Sequence, residues 1–285
     1  MTPPDTEDRG PPGGTDAGDD FDAAVARAYE ATGAAWSRGP ALVYDRLAVA
    51  LVDASPVPLA GRTVLDVGAG TGAASLAAVA ARARVVAIDV APAMVRANRA
   101  APPALVGRVV GNALALPVAS GTAGGLIAAF SFNHLSEPAQ GFAEAVRACR
   151  RGSPVLAGAY AADDDHPAKQ AVDRAAAEQG WAPEDWYLEM RADVSARLAT
   201  TDGMRAAAAV DGLDGAASLR RVPLPDLSPA ALVGWRMGMA HVAPFLAAAG
   251  LDVRRRVTRR ALELLGPAPP PLERSIVVFA GVVTG

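Results

Sequence analysis

The chain has 285 residues, 51% of them hydrophobic but only 5% aromatic, and a formal net charge of −3. That apolar fraction excludes disorder throughout, and the length suits one α/β domain with an insertion or two small domains. A pI near 5.7 speaks against a nucleic-acid binder, which needs a basic face to neutralise phosphates.

Residues 1–20, MTPPDTEDRGPPGGTDAGDD, hold little to bury, so nothing offsets the entropy of ordering them and a disordered tail is expected. They lack the basic-then-apolar pattern of a signal peptide, and no apolar run reaches the ~20 residues that span a bilayer. Cys149 is the only cysteine, which excludes an intramolecular disulfide and fits a reducing compartment. The expectation is a cytoplasmic protein without a membrane segment.

Over residues 21–54, Val25, Tyr29, Trp36, Leu42, Val43, Leu47, Val49 and Leu51 recur at helical spacing with a break at Gly39-Pro40, which predicts two helices. Between 63 and 160 short β-branched runs alternate with Ala-rich segments, the pattern of βαβ units and a parallel sheet. Strands are predicted over 63–67, 84–89, 105–110, 125–132 and 154–160, and helices over 72–81, 92–99 and 138–150. A mostly helical stretch to residue 209 follows, then a strand over 218–224, helix over 229–265 and a last strand over 275–283. Within these helices Cys149 reads as a small buried residue and His241 as a packed one, while Arg254, Arg255, Arg256, Arg259 and Arg260 read as a solvated face.

The strongest motif is VLDVGAGTG, residues 64–72, a buried strand running through a glycine turn into a helix. The turn needs glycine because its backbone takes left-handed angles and approaches a ligand closely. Asp89 ends the next strand, where a carboxylate can accept from both hydroxyls of a ribose. Gly68, Gly70 and Ala73 also satisfy a relaxed dinucleotide fingerprint. Asp66, two residues before the first glycine, suits a cation better than a pyrophosphate.

The stretch from Val64 to Tyr160 resembles the class I S-adenosylmethionine-dependent methyltransferases, most closely the bacterial enzymes that act on small molecules. VLDVGAGTG resembles the family's first motif, VVAIDVAPAMV its second, GNALALP the segment that meets the adenine and AFSFNHL the end of the fourth strand. AEAVRACRRGSPVLAGAY resembles the helix, turn and fifth strand that follow. Position 112 is commonly an acid in the family, and Thr122-Ala123-Gly124-Gly125 replaces the usual aromatic and acid before the fourth strand. The resemblance implies a Rossmann-like parallel sheet with an antiparallel C-terminal strand and helical caps before the sheet and after strand five. It divides the chain into the tail at 1–20, N-terminal helices and cofactor-binding core at 21–160, a helical substrate cap at 161–217 and completion of the sheet at 218–285.

For S-adenosylmethionine the same resemblance implies that Gly68, Gly70 and Gly72 wrap the methionine part and Asp66 orients it. Asp89 would take the ribose, Met94 would pack on the adenine and Asn112 with Ala113 would meet its amine. Ala69, Val90 and Phe130 complete the set. Substrate and chemistry are expected beyond strands four and five. Asn133 and His134 lie there, with Asp163, Asp164, Asp165 and His166. The run before Pro167 has two readings: a helix cap, or a substrate corner in which mutual repulsion raises one carboxyl's pKa. Asp165 and His134 are the first candidates for a general base, with Asp164 and His166 beside them. Tyr29, Trp36, Trp181, Trp186 and Tyr187 are read either as helix anchors or, with Phe130 and Phe132, as the wall of an apolar pocket. No metal ligand spacing is present.

The expected function is methyl transfer to an O, N or C atom of a small intermediate in specialised metabolism. Two alternatives stand beside it, an intramolecular cyclase on the same fold and a non-catalytic nucleoside-binding module. No protein partner is implied.

Overall fold

Five short runs of Val, Leu, Ile and Ala form the parallel core: β1 (Thr63–Val67), β2 (Arg84–Asp89), β3 (Leu105–Val110), β4 (Leu126–Ala129) and β5 (Pro154–Tyr160). Two longer strands, β6 (Leu213–Leu224) and β7 (Leu272–Val283), complete one seven-stranded sheet in the order β3-β2-β1-β4-β5-β7-β6. β7 is antiparallel to both β5 and β6. The computed structural model describes residues 17–285. The expected tail over residues 1–16 lies outside the described residues, whereas residues 17–20 form the first turn of a helix and not part of a tail.

That helix is α1 (Ala17–Glu30), followed by α2 (Gly33–Arg38) and α3 (Ala41–Val52). Three helices thus replace the two predicted. The break at Gly39-Pro40 is present, and a second break falls at Ala31-Thr32, where Thr32 Oγ1 donates to Ala28 O at 2.6 Å. The remaining helices of the core are α4 (Ala73–Ala80), α5 (Pro92–Ala97) and α6 (Pro138–Ala148). α7 (Pro167–Ala177), α8 (Asp185–Glu189), α9 (Ser195–Leu198) and α10 (Thr201–Ala207) lie between β5 and β6. α11 (Pro229–Met237) and α12 (Ala243–Leu265) lie between β6 and β7.

Period-two alternation divides the core between the two faces of the sheet. Val64, Val85, Ile127 and Leu156 pack with Val43, Leu47 and Leu51 of α3. Leu65, Val67, Leu126 and Val155 pack on the other side with Phe142 and Ala145 of α6. Asp66 therefore points to the α3 and α4 face, between Leu65 and Val67, and is fully buried there. β4 is shorter than predicted because Phe130 turns to φ +58, a conformation bulky residues rarely adopt. Residues 132–134 then form a single 3-10 turn. β6 and β7 begin earlier than predicted, since all twelve residues of each pair in one continuous register.

Candidate active site

β1 runs directly into the glycine turn. Gly68 sits at φ +68, and a Cβ there would lie 2.2 Å from Ser131 Cβ, so only glycine lets the turn pass under the end of β4. Gly72, at φ +92, opens α4 with Asn98 packed against it, 2.6 Å from where a Cβ would stand. Gly70 donates its N–H to Asp89 Oδ2 at 2.8 Å, and Ala91 donates to Oδ1 at 2.9 Å. The glycine turn is thereby fastened to the tip of β2, and each Asp89 oxygen keeps a lone pair for another donor. Burial holds the Asp89 carboxyl above its ordinary range, with the two amides pulling against that rise.

Asp66 lies under the turn. Its Oδ2 accepts from Ser75 Oγ at 2.5 Å, and Ser75 Oγ accepts from Asn98 Nδ2 at 3.1 Å. Oδ1 has no partner among the described residues. Burial pushes the carboxyl up to about 7 against the opposing Ser75 hydrogen bond, so an approaching cation would favour its ionised form. Ser75 and Asn98 were not singled out from sequence. A signal existed, because a serine on the buried face of AASLAAVA needs a partner.

A cavity of about 350 Å³ opens beyond the carboxyl ends of β1, β2 and β4, within the size range of small-molecule sites. It is lined by every residue assigned to the cofactor except Gly72, namely Asp66, Gly68, Ala69, Gly70, Asp89, Val90, Met94, Asn112, Ala113 and Phe130. Asn112 Oδ1 already accepts from Leu114 N–H at 2.9 Å, which leaves one lone pair of that oxygen for a further donor. The roof is α1, with Asp22, Val25, Ala26 and Tyr29 over the cavity, and Trp36, Tyr44, Ser131 and Leu135 extend its wall. Asp22 fixes α1 to the loop after β4 by accepting from Ser136 N–H at 3.0 Å and Ser136 Oγ at 2.8 Å.

Of the four catalytic candidates, His134 alone lines this cavity. Its Nε2 is 3.1 Å from Tyr29 Oη, and Nδ1 is buried without a partner among the described residues. Burial lowers the imidazole to about 4. Tyr29 is raised well above the ordinary phenol value by burial, reinforced by Tyr44, Asp89 and Tyr187. Asn133 is buried and turns away, with Nδ2 3.5 Å from Ser195 Oγ and its carbonyl accepting from that hydroxyl at 2.9 Å.

The run after β5 is not brought to the cavity. Asp164 is buried and accepts twice from Arg274, Nε to Oδ1 at 2.8 Å and Nη2 to Oδ2 at 2.6 Å, with Lys169 Nζ at 2.9 Å and Ser275 N–H at 3.1 Å. No lone pair is left for a substrate. His166 is the N-cap of α7: its Nδ1 accepts from Ala168 N–H at 3.1 Å, so Nε2 is the donor to Pro270 O at 3.0 Å. Asp165 faces solvent and accepts from Gln170 at 2.6 Å. Its carboxyl lies below the ordinary value, because hydrogen bonds from His166 N–H and Gln170 and the charges of Lys169 and Arg191 outweigh burial. The expectation of a raised pKa is therefore corrected at Asp165, and the capping reading accounts for His166.

The later aromatic residues are also placed differently from the pocket-wall reading. Trp186 and Tyr187 pack against Phe21, Val25 and Ala28 of α1 and do not line the cavity, so they brace the roof. Trp181 donates to His241 O at 2.9 Å. His241 is buried and stacked on Tyr187 at 3.9 Å, the packed role expected of it. Cys149 is buried, which pushes its thiol up to about 12. Among the described residues no group of His, Cys, Asp and Glu could hold a metal, and no helix is long and apolar enough to cross a membrane.

Comparison with known proteins agrees with this geometry. Residues 65–157 match the family described as a methyltransferase domain. A demethylmenaquinone methyltransferase of Renibacterium salmoninarum is 32% identical over 143 residues, 50% of this chain and 56% of that protein. The chain thus spans about half the length of this curated relative. The YcgJ protein of Bacillus subtilis shares the fold with a TM-score of 0.50 at 15% identity, over 84% of this chain and 98% of the other. The cyclase SpnF does so with a TM-score of 0.50 at 18% identity, over 85% and 82%. The glycine turn, the two strand-tip carboxyls and the strand order agree with the match of residues 65–157 to a methyltransferase domain.

Proposed function

We propose that the protein binds S-adenosylmethionine in the cavity under α1 and transfers its methyl group to a small molecule held in the same cavity. The observation that carries this reading is Asp66: a fully buried carboxyl with one oxygen unpartnered, lining a cavity whose opposite tip presents Asp89. A buried orphan acceptor is costly unless a donor arrives, and the charged methionine part of this ligand brings one. Asp89 fits the ribose hydroxyls, Met94 and Val90 the adenine face, and Asn112 with Ala113 the adenine edge.

When bound, S-adenosylmethionine supplies an electrophilic methyl on a sulfonium, and the electron pair of the broken carbon–sulfur bond stays on sulfur. The chain's own residues supply orientation and a dry site. α1 roofs the cavity against water, and the glycine turn holds its amides where Asp89 fixes them. The rings of Tyr29, Trp36, Tyr44 and Phe130 offer faces that favour a cation. Specialised metabolism belongs to this proposal on the sequence resemblance alone, and cytoplasmic location on the single cysteine. Ring closure draws no support from the acidic run after β5, because Asp164 is sealed by Arg274 and Asp165 faces solvent outside the cavity.

The test is calorimetric titration with S-adenosylhomocysteine, followed by incubation with methyl-labelled S-adenosylmethionine and candidate acceptors. Saturable binding and label transfer are expected. Absence of any binding would refute the assignment.

A further inference from the structure

Tyr29, Trp36, Tyr44, Phe130 and Leu135 line the cavity together with one hydrogen-bonded pair, Tyr29 Oη and His134 Nε2 at 3.1 Å. Tyr29 is 5.5 Å from Trp36, Trp36 4.8 Å from Tyr44 and Tyr44 5.5 Å from Phe130 between ring centroids, so the rings form a continuous wall. Three carboxyl groups line the whole cavity, those of Asp22, Asp66 and Asp89, and among the described residues no lysine or arginine does. Asp22 accepts one hydrogen bond on each oxygen from Ser136. The wall therefore has aromatic surface and a polar pair, with no cationic side chain among the described residues to receive an anionic acceptor.

Resting on the methyl-transfer reading, we propose that the acceptor is an uncharged aromatic hydroxyl compound, bound with its hydroxyl on Tyr29 Oη, and that its proton leaves through Tyr29 to His134 Nε2. The acceptor oxygen uses a lone pair to bond the methyl carbon, whose former bonding pair stays with sulfur. The acceptor O–H proton moves to Tyr29 Oη as the Tyr29 proton moves to His134 Nε2, and Tyr29 ends unchanged. The cavity holds one extra positive charge throughout, on sulfonium before transfer and on imidazolium after it. The two cations oppose each other in an apolar cavity, so His134 stays neutral while the sulfonium is present and becomes more basic as that charge disappears.

Burial keeps both the imidazole and the phenol uncharged before transfer, so His134 starts as a neutral acceptor for the proton. A carboxylate acceptor would enter a cavity lined by three acids. An ammonium acceptor would place a second cation beside the sulfonium, and their mutual repulsion in an apolar cavity is unfavourable.

Three matched probes test this on protein first shown by calorimetry to bind S-adenosylhomocysteine: 2-naphthol, 2-naphthoate and 2-naphthylmethylamine. On the loaded protein, 2-naphthol should bind about tenfold or more tightly than either charged probe, the size expected for an unpaired buried charge. With 15N-labelled histidine, 2-naphthol should shift the His134 imidazole resonances and 2-methoxynaphthalene should not, a signature that a purely structural histidine would not give. Tyr29→Phe should weaken 2-naphthol by about fivefold to tenfold, one hydrogen bond's worth. Tighter binding of the acid or the amine, no binding of 2-naphthol, or equal His134 responses to naphthol and its methyl ether would each overturn the proposal. Failure to bind S-adenosylhomocysteine at the outset would instead remove the methyl-transfer reading itself. The probe ranking uses the unmodified chain, so it stands even if Tyr29→Phe misfolds.

Discussion

The segments following β4 and β5 start from similar material, polar residues and a histidine at the carboxyl edge of one sheet, and end in opposite states. After β4, His134 lines the cavity, and its Nε2 is bonded to a residue of the roof. After β5, Asp164 and His166 have their polar atoms taken up by Arg274, Lys169, Ser275, Ala168 and Pro270. Residue type at the sheet edge does not separate a site from a structural corner. What separates them is whether a distant strand brings partners: β7 delivers Arg274 to Asp164 across 110 positions of sequence.

The largest expected effect comes from breaking the closed corner. Arg274 and Asp164 side chains are each 3% exposed, so Arg274→Met should cost about 3 kcal/mol of stability by removing two charge-assisted hydrogen bonds from a buried carboxylate that keeps Lys169 and Ser275. Urea unfolding measures this, and a loss within experimental error would show that the corner does not depend on the pair. On the open side, Asp89→Ala should remove about 1.5–3 kcal/mol of S-adenosylhomocysteine binding, the worth of charge-assisted hydrogen bonds, as read by calorimetry.

A smaller effect concerns pH. Asp66 is raised to about 7 in the fold, so it binds its proton more tightly when folded. Its stabilising contribution is fully present below about pH 4 and lost as pH rises through about 7. His134, lowered to about 4, acts in the opposite sense: its contribution is present above about pH 6.5 and lost as pH falls toward 4. Asp66→Asn should therefore raise the melting temperature of the ligand-free protein at about pH 8 more than at about pH 5. An equal change at both values would contradict a raised Asp66. Least of all should happen at Asp165, whose side chain is 63% exposed. Asp165→Asn is expected to move stability by no more than about 0.5 kcal/mol and to leave methyl transfer unchanged, whereas a large loss of turnover would reopen the corner after β5.

Much of the core was legible because its signals are local. Strand and helix periods placed β1, β2, β3 and β5 as observed, and the glycine turn with Asp66 and Asp89 pointed to the part of the cavity proposed for the cofactor. The part proposed for the acceptor was only half legible. Tyr29 and His134 were each noticed, but 105 residues separate them and no local pattern pairs them. The Asp163 to His166 run misled because its closing partner lies on the last strand. Trp186 and Tyr187 misled in the same way, since only the packing of α8 against α1 shows that they brace the roof instead of lining the cavity.

The most direct measurement is the proton balance of S-adenosylhomocysteine binding, taken by calorimetry near pH 7 in buffers of different ionisation enthalpy. If the ligand's charged end meets Asp66, whose carboxyl is about half protonated at that pH, binding should release about half a proton per site. Asp66→Asn should abolish that release. Binding heats that do not depend on the buffer, or a release that persists in Asp66→Asn, would contradict the placement of the cofactor on this buried carboxyl.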